Sequence, residues 1–230
     1  MNEDTVRDSS AAGELTDARA RFMVKTYAHL FGAMIAFTLL EIFFFSTGLA
    51  ESIARTFLGV NWLLILGGFI VVSWIASRTA HNAQARATQY VGLALFVLAE
   101  SLIFIPLLYL ANHYAPGMIS SAAFVTLFAF TGLTFVAFIT RKDFSFLRGL
   151  LGWGMILALV AIVAGAIFGF ELGTWFSVAM VGLAGIAILY DTSRIIRDFP
   201  VDRHVGAALE LFASVALMFW YVLRLFLSRR

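Results

Sequence analysis

The sequence predicts an all-α membrane protein with seven transmembrane helices, and three observations predict it. Of 230 residues, 61% are hydrophobic and only 13% charged, against roughly 45–50% and 25% in soluble domains. Mean hydropathy is +0.92. The apolar residues also fall in continuous runs rather than alternating ones. A helix needs about 20 such residues to cross a hydrocarbon core of ~30 Å, whereas barrel strands cross in ~10 residues of alternating character.

Taken in order, residues 1–20 are polar and lack an apolar stretch of the signal-peptide kind, so they read as a cytoplasmic arm. Residues 21–230 form the membrane domain. Its first span, 26–50, carries Glu41, and the second, 56–77, is uncharged and is followed by Arg78. The third, 87–112, carries Glu100 and Pro106, which predicts a kink. Spans four and five, 118–140 and 149–169, are uncharged; Gly165 and Gly169 give the fifth a small-residue face suited to helix packing. The sixth, 172–191, closes on Asp191, and the seventh, 205–227, has Glu210 just inside its start. Trp62, Trp74, Trp153 and Trp175 lie near span ends, as interfacial anchors do. The connections are too short for a separate soluble domain, and no internal repeat is evident.

Basic residues set the orientation. Leaving out Arg7, eleven Lys and Arg flank the N-terminal side of the membrane and four the other, which places the N-terminus in the cytoplasm. The formal charge of +2 gives no reason to expect a nucleic-acid partner. With no cysteine there is no disulfide, thiol catalysis or Cys-based metal site. The only lysines, Lys25 and Lys142, lie outside the last span, which excludes a retinal Schiff base. His29, His81, His113 and His204 are scattered without metal-ligand spacing, and no Ser/His arrangement suggests a nucleophile. An enzyme is not expected.

Ionisable groups at membrane depth are costly and mark function by default. They are His29, Glu41, Glu100, Asp191 and Glu210, all acidic but one. Desolvation and mutual repulsion favour the protonated form of acids that share a cavity, so the expected chemistry is a proton or cation site controlled by pH. An Asp191–Glu210 pair at the cytoplasmic mouth is geometrically reasonable, and Glu210 shares a helix face with Ser214. Structural readings compete with each of these. Asp191 can pair with Arg194 at a helix end, Glu210 can snorkel, and Glu41 and Glu100 can lock helices through hydrogen bonds. His29 can be a bonded histidine, and Arg78 either neutralises an acid or serves topology alone.

Several segments resemble one family. Thr140-Arg141-Lys142-Asp143-Phe144-Ser145, after the fourth span, resembles the T-K-[KR]-D-[LF]-S connector of the Bax inhibitor-1 family. Tyr190-Asp191 resembles the YD ending of that family's sixth helix, and residues 208–226 resemble its last one. Ser101-Leu102-Ile103-Phe104-Ile105-Pro106 and Lys25-Thr26-Tyr27 fit the third and first. The resemblance covers residues 21–227.

It implies six helices around a central seventh and, in bacterial members, a pH-sensitive calcium leak. There two aspartates share a proton and an arginine on the second helix latches the pore. Asp191 matches the first aspartate and Arg78 the latch. The second aspartate falls on Ser214, so the pair is broken here. The resulting expectation is a pH-modulated cation pathway in a bacterial inner membrane, using Asp191, Glu210, Glu100 and Glu41. Calcium is the expected ion because the interior offers oxygen donors; no cofactor is expected. The alternative is a non-conducting regulator that binds another membrane protein, such as a quality-control protease.

Overall fold

The computed structural model describes residues 3–82 and 85–228, with side chains from residue 15 onward. Among them the chain is entirely helical: α1 (Glu3–Ser46), α2 (Leu49–Leu58), α3 (Trp62–Ala80), α4 (Arg86–Tyr114), α5 (Met118–Thr140), α6 (Leu147–Phe168), α7 (Gly173–Arg197) and α8 (His204–Leu227). All but α2 are long and apolar enough to cross a membrane. The protein is a multi-pass membrane protein, and from Glu3 onward its polar arm is the helical beginning of α1. Arg229 and Arg230, which entered the charge balance, lie outside the described residues.

Three boundaries differ from those expected. The first span ends at Ser46 instead of residue 50, because Gly48 adopts φ 77° and turns the chain. The second begins at Trp62 instead of residue 56. Between them lies the short α2. Its Ala50 and Ala54 are buried against Phe44 and Ile105, while Glu51 and Arg55 pair on its exposed face. Such a helix suits the membrane interface. The sixth span does not close on Asp191. α7 runs on to Arg197, since Ile195 is buried and a proline is met only at Pro200. Pro106 lies inside α4, which remains helical to Tyr114. Gly165 packs under the carbonyl of Phe170 within the same chain, and Gly169 (φ 73°) ends α6.

The interior belongs to two helices. In α8 72% of the most apolar stretch is buried and in α4 67%, against 33% or less elsewhere. α8 packs on α1, α3, α4, α5 and α7, whereas α6 leans on α7 and α3 and stands across a cavity from α8. Small residues permit the close approaches. A Cβ on Gly92 would lie 2.3 Å from the backbone nitrogen of Ala80, so α4 rests directly on α3. A Cβ on Gly206 would sit 3.0 Å from the ring of His81. The absent side chain there admits His81 to the start of α8.

Candidate functional site

α7 and α8 meet in two successive rungs. Asp191 and Arg194 are three apart on α7; Ser214 and Glu210 are four apart on α8. Each pair therefore shares a face. In the first rung the Ser214 hydroxyl donates to Asp191 Oδ2 at 2.7 Å, and both residues are buried. In the second, Arg194 Nη1 donates to Glu210 Oε2 at 2.9 Å. Asp191 and Glu210 occupy neighbouring turns, but among the described residues no hydrogen bond joins them.

His81, directly after α3, completes the second rung. Its Nε2 lies 3.0 Å from Glu210 Oε1 and its Nδ1 lies 2.7 Å from the Ser77 carbonyl. Both partners are acceptors, so both bonds form only when both ring nitrogens carry protons. The hydrogen bond to Glu210 is the main reason the imidazole pKa is raised above its ordinary 6.5. Phe199, 2% exposed, seals this layer: it meets His81, stacks on Phe22 and lies under the Arg194 guanidinium. Arg19 fastens Phe199 from α1 by donating to its carbonyl at 2.5 Å.

The connection between α5 and α6 is tied to the same end of α7. Ser193 Oγ donates to the Lys142 carbonyl at 3.1 Å and accepts from the Phe144 amide at 3.3 Å. Arg197 stands 3.5 Å from Asp143.

On the other side of Asp191 opens a cavity of about 1140 Å³ between α3, α4, α6, α7 and α8. Ser73, Glu100, Ser177, Asp191 and Ser214 line it, and Glu171, Thr174, Arg224 and Ser228 stand at its far end. From Gly173 to Asp191 it follows about 27 Å of α7, at a rise of about 1.5 Å per residue. Among the described residues no three His, Cys, Asp or Glu gather closely enough to hold a metal ion. The acids are spaced along the cavity.

The other candidates go elsewhere. Arg78 lies over the exposed Trp74 at 4.5 Å, on the outside of the bundle, and it is His81, one turn later, that reaches an acid. His29 donates from Nδ1 to the Lys25 carbonyl (2.7 Å), accepts at Nε2 from Tyr90 (2.9 Å) and meets the ring of His204 edge-on; that tautomer satisfies both bonds. Glu41 faces a separate cavity. Sequence reasoning missed His81, Arg194 as partner of Glu210, and Phe199. The placement of Arg194 one turn after Asp191, as Glu210 is one turn before Ser214, was the available signal; nothing local marked His81 or Phe199.

Comparison with known proteins agrees with this architecture. The family model described as inhibitor of apoptosis-promoting Bax1 matches residues 19–230. A protein of Neisseria meningitidis serogroup A is 28% identical over 176 residues, 74% of this chain and 75% of its own. A membrane protein of Vibrio cholerae is 30% identical over 113 residues, 48% of this chain and 50% of its own. A Pseudomonas aeruginosa protein is 31% identical over 122 residues, 52% and 54% respectively. With the match running through the α5–α6 connection, both rungs and the whole of α8, the chain belongs to the Bax inhibitor-1 family of membrane proteins.

Proposed function

We propose that the protein is a pH-modulated cation pathway, most suited to Ca²⁺, in a bacterial inner membrane with its N-terminus in the cytoplasm. The observation that carries this reading is the cavity leading to Asp191. Its length approaches the ~30 Å of a bilayer core, carboxylate and hydroxyl oxygens recur along it between Glu171 and Asp191 with Arg224 as its one guanidinium among the described residues, and one layer, Arg194–Glu210–His81 with Phe199, stands between its inner end and the cytoplasm. A hard cation passes from Glu171 to Glu100 and on to Asp191 and Ser214, exchanging waters for carboxylate and hydroxyl oxygens. It leaves when the layer separates.

Acid closes this pathway in two ways. Protonation of Asp191 removes the charge that attracts the cation, and doubly protonated His81 holds Glu210. Because the His81 pKa is raised in the folded protein, the clamp is complete below about 6.5 and is lost as pH rises through the raised value. Flux therefore increases between pH 5 and 8. The test is Ca²⁺ entry into proteoliposomes with a trapped indicator across that range. Asp191→Asn is expected to lower flux and flatten its pH profile. Flux and profile unchanged by both Asp191→Asn and Glu210→Gln would overturn the site.

A second reading has its own support. α1 spans 44 residues, about 66 Å at about 1.5 Å per residue, and so extends well beyond the membrane. As a regulator, the protein would use this polar helix to hold another membrane protein. Deleting residues 2–14 separates the two: a leak keeps its flux, and a regulator loses its partner in a pull-down.

A further inference from the structure

A second cavity, of about 230 Å³, lies apart from this path between α1, α4, α5 and α8. Its walls are aliphatic and aromatic except for Thr38, Glu41 and Thr126. Thr38 is satisfied by the Met34 carbonyl at 2.9 Å. Glu41 and Thr126 are 8% and 2% exposed, and among the described residues neither Glu41 carboxyl oxygen nor Thr126 Oγ1 has a hydrogen-bond partner. Native proteins rarely leave buried polar atoms unpaired. Three such oxygens around one cavity point to a ligand that supplies donors.

The cavity opens sideways. α1 and α5 both flank it, but their backbones do not pack on each other, and Thr38 and Leu127 on its rim are exposed. Since those faces meet lipid, a ligand enters from the bilayer and not from water. Its apolar part can remain there.

We propose that this cavity binds the ammonium group of a long-chain primary amine, its three N–H donors set against the two Glu41 oxygens and Thr126 Oγ1, its chain leaving between α1 and α5. An ammonium carries three donors and a charge opposite to the carboxylate, and paired burial with satisfied hydrogen bonds is what a buried charge requires. An alcohol brings one donor. A phosphatidylethanolamine head brings the ammonium but also a phosphate, and no Lys, Arg or His lines the cavity to receive it. The inference is independent of conduction, although Phe104 and Ala216 border both cavities.

The experiment is photolabelling of the purified full chain in detergent with a dodecylamine that carries a diazirine on its chain, mapped by peptide mass spectrometry. Label is expected on α1 and α5 around Thr38 and Leu127, competed by dodecylamine but not by dodecanol or a short-chain phosphatidylethanolamine. Glu41→Gln is expected to lower it about tenfold or more, the loss typical of a charge-assisted hydrogen bond. Ala123→Phe, which fills the cavity and leaves Glu41 in place, should do the same and decides the matter should Glu41→Gln fail to fold. Label spread evenly over the lipid-facing helices, equal competition by dodecanol, or labelling of both variants as in wild type would overturn the proposal. None of these outcomes depends on Ca²⁺ flux.

Discussion

Glu210 and Glu41 are both acids inside the bundle, and the fold treats them in opposite ways. Glu210, near the start of α8, receives Arg194 from α7 and His81 from the end of α3. Glu41, on α1, receives nothing from the described residues around it. Burial alone thus does not tell what an acid is for. Partners on two neighbouring helices make Glu210 a tie, and their absence makes Glu41 a receptor.

Stability measurements can break this contrast. The largest effect is expected from Glu210→Ala, which leaves two cationic side chains facing each other. It should cost about 2 kcal/mol, less than the about 3–5 kcal/mol of a fully buried pair because the site is partly exposed, read as a fall in Tm in detergent. Glu41→Met should do the reverse and stabilise the protein by about 1–2 kcal/mol, because it removes an unsatisfied buried carboxyl and keeps the volume. If both substitutions destabilise alike, the distinction fails. Ser214→Ala should cost about 1 kcal/mol, one neutral donor to Asp191. The smallest effect sharpens the role of His81. Wild type should lose Tm as pH rises from about 6 to about 8, in the direction fixed by a raised imidazole pKa, and His81→Gln should lose less.

Much of the architecture was legible because it rests on long apolar runs, which composition alone reveals. α2 was not, because the apolar run continues through Thr47–Gly48 and a ten-residue amphipathic helix looks like the flank of a span. Asp191 stood out as an acid beside an apolar run, but its place within α7 depends on Ile195 finding a buried site, a tertiary fact. Glu210 and Ser214 were readable as one face. Their true partners were not, since Arg194 reads equally well as a topogenic arginine, and His81 reaches Glu210 only because Gly206 leaves room. Arg78 shows the converse: its position left an acid across the bundle and a topogenic role equally open, and Trp74, one turn away on the same helix, lies under its guanidinium.

The hydrogen bond from Arg19 to the Phe199 carbonyl has a mechanical consequence. Arg19 sits where the polar part of α1 becomes apolar, and Phe199 stands at the turn that joins the two helices carrying both rungs. One continuous helix, polar at its start, is therefore bolted part-way along to the turn between α7 and α8. A force or torque on the polar length of α1 is delivered to Phe199 through the Arg19 guanidinium and the stacked ring of Phe22. In the proposed pathway the helix would act as a lever whose short arm is the layer around Glu210.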